Sequence, residues 1–290
     1  MTAAHPLDSR ESLLNLLERW QSLGWLRALD LAFTRFLAQQ APDASPELLL
    51  ASVLVSHQLG RGHVCLSLEG VLADPYTALS LPPEQAVVDS LEPVCLPNQL
   101  LQGLDAQHWA ARLADPLLVA RGEGQTPLVF DGKSLYLRRY WHYERSVEAA
   151  IAQRLLKRES LQAQLPDESR AVLQGLFGEN TTGDTDWQKV ACALAASSGF
   201  CIITGGPGTG KTTTVVKLLA LLQSLNLCGA NTKALRIKLA APTGKAAARL
   251  KEAIAHAIAG LPHTLLTQAG LRESIPTDVI TLHRLLGSRP

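Results

Sequence analysis

Leu13, Leu14, Leu16 and Leu17 recur at helical spacing, and so do Leu29, Phe33, Phe36 and Leu37. Gly24 lies between the two sets, so residues 10–40 are expected to form two helices. Ser45-Pro46-Glu47 opens a third, because Ser45 can accept from a free first-turn amide and Pro46 has no N–H to leave unpaired there. That stretch stays apolar to Leu59 and stops at Gly60. Residues 70–105 are proline-rich and break the period, with room for one short helix after Pro83. Trp109 to Leu118 is interrupted by Asp115-Pro116. In PLVFDGKSLYL, residues 127–137, Asp131-Gly132 divides two apolar runs. This marks a hairpin whose two central residues take positive φ. A helix from about Arg145 to Leu161 follows.

The pattern changes after a polar stretch, residues 166–184. Helix 187–197, strand 200–204, helix 211–225, strand 235–241 and helix 244–259 are expected in turn. Strands separated by helices at this distance imply parallel βαβ units. The fold class is therefore mixed: an α-rich N-terminal domain, then an α/β domain with a parallel sheet. The expected divisions are a mostly helical domain at 1–120, a hairpin with its connecting helix at 121–165, and the α/β domain at 166–290.

Composition adds a few bounds. A chain of 290 residues, 47% of them hydrophobic, is large enough for two cores. No apolar run approaches a membrane span and the first residues lack a secretory pattern, so a cytoplasmic location with no membrane contact is expected. The five cysteines, at 65, 95, 192, 201 and 228, show no metal-finger spacing and read as reduced thiols. His57 and His63 have no third ligand nearby in sequence, which argues against a metal pair. Net charge is +1. Its distribution is lopsided: beyond Thr212 lie Lys217, Lys233, Arg236, Lys238, Lys245, Arg249, Lys251, Arg272, Arg284 and Arg289, against Glu252, Glu273 and Asp278. A solvated face and a nucleic-acid surface both fit that bias.

Residues 205–212, GGPGTGKT, fit G-x-x-x-x-G-K-[ST] at every position, between an apolar run and a long helix. Glycines let the backbone wrap an anion with its N–H groups inward, and the helix N-terminus adds positive potential. Gly205, Gly206, Pro207, Gly208, Thr209, Gly210, Lys211, Thr212 and Thr213 are the candidate cradle for ATP. Lys211 is the candidate catalytic charge on the β- and γ-phosphates, and the Thr212 hydroxyl is the candidate Mg²⁺ ligand. Gln188, upstream on the preceding helix, has the donor and acceptor that suit an adenine edge, although an exposed helical glutamine would look the same.

A second strand-to-helix turn, Thr243-Gly244-Lys245, could hold one phosphodiester or be purely structural. Thr281 could cap a short helix that exposes His283 and Arg284, both able to donate to phosphate. The aromatic cluster Tyr136, Tyr140, Trp141, His142 and Tyr143 suits either base stacking or packing of the hairpin on its helix. Residues 1–120 carry no catalytic constellation.

WQKVACALA, IITGGPGTGKTTTVVKLLALL, RIKLAAPTGKAAARL and TLHRLLG, in that order, closely resemble the RecD family, the α subunits of the bacterial RecBCD helicase–nuclease, exodeoxyribonuclease V. SHQLGRGHVCLSL and VARGEGQTPLVFDGKSLYLRRYW resemble that family's N-terminal region, so the likeness covers nearly the whole chain. It implies a superfamily 1 motor moving 5′ to 3′ on single-stranded DNA in double-strand-break repair and recombination. Residues 166–290 would then be the first RecA-like P-loop domain. Gln188 matches the adenine-contacting glutamine, and residues 205–212 match the ATP loop. Thr243, Gly244 and Lys245, then Thr281, His283 and Arg284, match DNA-contacting segments. RecC-like and RecB-like subunits are the implied partners, with single-stranded DNA at a duplex end. The N-terminal region would dock on the RecC-like subunit through exposed apolar patches, and nuclease chemistry would belong to another subunit.

The family's motor also needs an acidic pair after a third strand and a second RecA-like domain. No Asp-Glu follows an apolar run after the phosphate loop; Asp167-Glu168 lies upstream. The RecA-like domain is thus expected to be incomplete, truncated before its Walker B strand, and the chain to hydrolyse ATP negligibly on its own. Two alternatives stand beside the motor reading: a non-catalytic interaction module, and part of a standalone RecD-like helicase.

Overall fold

The structure is a computed structural model that describes residues 5–84, 94–156, 168–179, 183–228, 233–262 and 270–287. It divides into two compact units, Met1–Glu148 and Ala149–Pro290. The positions expected to carry a short helix after Pro83, Asp167 and the end of the helix expected to reach Leu161 lie largely outside the described residues.

In the first unit α1 (Arg10–Ser22), α2 (Ala28–Gln40) and α3 (Pro46–Gly60) match the leucine pattern. Gly24, at φ 75°, supplies the left-handed turn between the first two. Ser45 caps α3 by accepting from Leu48 N at 3.1 Å. Helix α3 is the hub of this core: residues 48–58 are buried without exception, which explains why its sequence is apolar nearly all round. Most of its buried polar side chains are paired, while Glu47 Oε2 has no hydrogen-bond partner. His57 Nε2 donates to Leu79 O at 2.9 Å. Ser56 Oγ donates to Asp30 Oδ1 at 2.7 Å, and Arg27 donates to both Asp30 and Ser56 O. Burial alone would raise the Asp30 carboxyl; hydrogen bonds from Arg27 and Ser56, with the guanidinium charge, outweigh it and hold the group below the usual carboxylate range. His57 is an imidazole committed to a carbonyl while His63 is exposed, so the two form no metal pair.

The short elements of this unit are β1 (Cys65–Ser67), α4 (Leu68–Ala73), α5 (Pro75–Leu79), α6 (Pro97–Leu100), α7 (Ala106–Arg112), β2 (Val119–Ala120), β3 (Leu128–Phe130) and β4 (Ser134–Leu137). The start of the stretch expected to be irregular from residue 70 is instead helical, because Ser67 and Asp74 cap two consecutive short helices. The sheet runs β1-β4-β3-β2, so the hairpin joins the N-terminal helices through Cys65↔Tyr136 and Leu66↔Leu135. The Asp131-Gly132 turn is present with a different geometry. Gly132 alone has positive φ, and Asp131 Oδ1 accepts from Lys133 N and Ser134 N at 2.9 and 2.8 Å. An Asx-type turn thus replaces the expected pair of left-handed residues. Helix α8 (Arg138–Leu155) begins directly after β4, seven residues before its expected start. In the aromatic cluster Tyr136 is buried in the sheet, while Tyr143 stays exposed and takes a hydrogen bond from Arg139 Nε at 2.7 Å.

The second unit contains α9 (Ser169–Phe177), α10 (Trp187–Ala196), α11 (Lys211–Cys228), β5 (Leu239–Ala241), α12 (Gly244–Ala259), α13 (Leu271–Ser274), β6 (Val279–Thr281) and α14 (Leu282–Leu285). Its core gathers Val216, Leu219 and Leu221 of α11 with Ile254 and Ile258 of α12 and Leu176 of α9. Strands β5 and β6 pair in parallel, in register Leu239↔Val279 to Ala241↔Thr281. The expected strand at 200–204 is not formed: those residues join no ladder, and Ile202 is 72% exposed. Apolar residues give a segment strand propensity, but a neighbour with free amides and carbonyls makes it a strand. The expected strand 235–241 is confined to its last three residues for the same reason.

Candidate phosphate-binding site

The loop between residue 204 and α11 is shaped by its glycines. Gly208 and Gly210 have φ of 75° and 77°, where any other side chain is strained. Gly205 lies so close to Thr209 that a Cβ would meet the Thr209 hydroxyl at 2.7 Å, and a Cβ on Gly210 would meet Gln188 Nε2 at 2.6 Å. Gly205 is therefore favoured by close contact, Gly208 by conformation, and Gly210 by its φ with the Gln188 amide close beside it. Thr209 Oγ1 donates to Gly206 O at 2.9 Å and closes the loop on itself.

Lys211 opens α11, and its ammonium turns back to donate to Gly205 O and Gly206 O at 2.6 and 2.5 Å. Thr212 is half-buried and Thr213 exposed in the first turn; Gly206, Pro207 and Gly208 are exposed. Thr214 N and Oγ1 donate to Gly210 O at 2.9 and 3.0 Å, which fixes where the loop meets the helix. Glycines required by close approach, an ammonium within the loop and helix N–H groups behind it form a donor set that fits a polyphosphate. Among the described residues no three His, Cys, Asp or Glu side chains gather as a metal site. In this loop the Thr212 hydroxyl is the side-chain oxygen that could join phosphate oxygens in holding a divalent cation.

Gln188 stands in the first turn of α10, whose start is capped by Asp186 accepting from Lys189 N at 3.0 Å. Its Nε2 donates to Thr209 O at 3.1 Å. The same helix is tied to α11 by Cys192, whose buried thiol donates to Thr214 O at 3.3 Å. Burial pushes that thiol up to about 11, Asp186 adding to the rise and Lys217 opposing it, so it stays protonated and acts as a donor. Trp187, Gln188, Thr209, Lys211 and Thr214 line a cavity of about 160 Å³.

The two further sets of candidate residues meet at one edge of the β5–β6 pair. Thr243 follows β5 and caps α12, accepting from Ala246 N at 3.2 Å. Thr281 ends β6 and caps α14, accepting from Arg284 N at 3.3 Å. Because Ala241 is in register with Thr281, both caps stand at the C-terminal ends of neighbouring parallel strands, where open α/β sheets commonly bind ligands. Gly244, Lys245, His283 and Arg284 are exposed there. A cavity of about 480 Å³ joins this edge to the phosphate loop, lined by Thr212, Thr243, Lys245 and Arg249. Arg249 was not among the expected site residues; its spacing of four from Lys245, which puts both on one helix face, was the available signal.

Strand β6 was also missed. Val279-Ile280-Thr281 is β-branched throughout, but three residues are too short a run to register as a strand. Gln223, fully buried inside the apolar stripe of α11, was missed as well. Its Nε2 donates to Leu235 O and Ser274 O at 3.0 and 2.8 Å, and its Oε1 accepts from Leu235 N at 2.8 Å.

Two family models match the chain. Residues 22–136 match the N-terminal domain of RecBCD enzyme subunit RecD, and residues 188–290 match an AAA domain. Among curated proteins the chain is similar to RecBCD enzyme subunit RecD of Haemophilus influenzae, 33% identical over 283 residues, 95% of this chain and 42% of that protein. It is 39% identical over 252 residues to the subunit of the same name from Mycolicibacterium smegmatis, 86% of this chain and 37% of that one. Against the Buchnera aphidicola (Acyrthosiphon pisum) protein it is 28% identical over 277 residues, 95% and 40% of the two chains. The chain thus spans about two-fifths of the length of these relatives.

Proposed function

We propose, from the chain's similarity to RecBCD enzyme subunit RecD and the match of residues 22–136 to that subunit's N-terminal domain, that it is the N-terminal part of an ATP-dependent, 5′-to-3′ DNA helicase subunit acting in double-strand-break repair and recombination. Its second unit is, on this reading, the first RecA-like domain of the motor. ATP with Mg²⁺ is the cofactor, and the anhydride of that triphosphate supplies the free energy for movement along DNA.

The observation that carries the reading is the joining of two anion-ready surfaces in one unit. The loop at 205–212 is built for a polyphosphate, and one groove runs from its Thr212 to Thr243, Lys245 and Arg249. Lys211 would be drawn from the Gly205 and Gly206 carbonyls onto the outer phosphates, and Thr212 would present its hydroxyl to the metal. Gln188 would read the adenine edge. Exposed Lys245, His283 and Arg284, beside two capped helix starts, would hold the DNA backbone and carry no base information. Backbone-only contact suits a motor that must pass every sequence.

In the first unit Leu29 and Phe36, seven residues apart on α2, are 65% and 53% exposed. They offer an apolar face for RecC-like and RecB-like partners in the cytoplasm. Among the described residues no helix is long and apolar enough to cross a membrane.

The experiment is fluorescence anisotropy of labelled single-stranded DNA with the 290-residue chain at low and moderate salt, beside co-purification with RecB-like and RecC-like subunits. Binding that weakens with salt, is reduced in Lys245→Ala and Arg284→Ala, and is indifferent to base sequence agrees with the proposal. Absence of DNA binding together with failure to co-purify would contradict it.

A further inference from the structure

We infer that Gln188 is a positioning residue of the phosphate loop, holding the Thr209–Gly210 peptide so that the Gly210 N–H is set for a bound phosphate, whatever base the nucleotide carries. This rests on the reading of residues 205–212 as a polyphosphate cradle and adds to Gln188 a task separate from reading adenine.

The geometry is direct. Gln188 Nε2 donates to the Thr209 carbonyl at 3.1 Å, across 21 residues of sequence. A trans peptide is planar, so the carbonyl of Thr209 and the N–H of Gly210 point in opposite directions. Tying the first therefore fixes the second. Gly210 has φ of 77°, and a Cβ there would stand 2.6 Å from Gln188 Nε2. Glycine at this place thus leaves room for the glutamine amide as well as for the left-handed turn. The loop's own closures run from Thr209 Oγ1 and N to Gly206 O and from Lys211 Nζ to Gly205 O and Gly206 O, and none of these bonds involves the Thr209 carbonyl. Gln188 in turn is held rigidly enough to act as an anchor. It lies in the first turn of a helix capped by Asp186 and tied to α11 through Cys192. A loop held in its binding shape loses less conformational freedom when a phosphate arrives.

The test separates base reading from loop positioning with a ligand that has no base. Calorimetry with magnesium tripolyphosphate and with magnesium ATP compares the 290-residue chain with Gln188→Met, which keeps the length and loses the donor. The inference expects tripolyphosphate to bind about threefold to tenfold more weakly to the variant, the worth of one net hydrogen bond, with an unchanged thermal unfolding midpoint. Equal tripolyphosphate affinity in the two proteins, with only ATP weakened, would overturn it and leave Gln188 a reader of the base. A midpoint lowered by several degrees alongside weaker binding of both ligands would also overturn it, because the fold would then be the cause. If the unaltered chain binds neither ligand, the cradle reading itself fails and this inference with it.

Discussion

Gly210, just before α11, and Gly244, first in α12, stand at the starts of two helices, yet they differ in what they can tolerate. Gly210 combines a positive φ with a close neighbour; Gly244 has neither, and a Cβ there meets nothing within 4 Å. Gly210→Ala should cost about 1–2 kcal/mol in backbone strain and displace Gln188, weakening ATP at least tenfold by calorimetry. Gly244→Ala should leave ATP affinity within about twofold, since an added methyl meets no barrier there. His57 makes a second residue-scale prediction. Burial lowers its pKa, opposed by the Leu79 carbonyl and Asp30 and aided by Arg61 and Arg27. Above about pH 6.5 the imidazole is neutral both folded and unfolded. As pH falls below that, the unfolded chain takes up a proton that the folded one resists, so stability declines with acidification. Urea titrations from pH 7.5 to 5 should show this decline, and His57→Gln should flatten it.

At the level of elements, capping and buried polar bonds decide more than propensity does. Thr243→Ala removes the cap of α12 and should destabilise the second unit by about 1 kcal/mol, read as a lower urea midpoint. Gln223→Leu is predicted to be worse, by about 2–4 kcal/mol, because Leu235 N, Leu235 O and Ser274 O lose their partner together. The same contrast explains what the sequence made legible. The helices at 10–60 and 244–259 were readable because an apolar period and a capping residue are local signals, and the glycine turn before α11 was readable because its glycines answer to local geometry. The 200–204 segment was misread as a strand because its apolar residues cannot report whether a neighbour pairs with it. Gln223 was invisible because a buried glutamine and an exposed one are written alike; only the arrival of 235 and 274 distinguishes them. Gln188 was singled out for its donor and acceptor, while its contact with Thr209 depends on where α10 lies against the loop.

On the scale of the molecule, the two units have separate cores, one built on α3 and one on α11 and α12. Urea unfolding of the 290-residue chain should therefore show two transitions. His57→Gln should move only the first unit's and Gln223→Leu only the second's; a single transition shifted by both substitutions would contradict this. Binding should respect the same division, with nucleotide and DNA determinants in the second unit and the exposed apolar face of α2 in the first. The measurement that bears most directly on the account is calorimetry of magnesium ATP with folded 290-residue chain and with Lys211→Ala of equal thermal midpoint. Saturable one-site heat is expected for the chain, and its loss in the variant. Equal heats in the two proteins, or none in either, would contradict it.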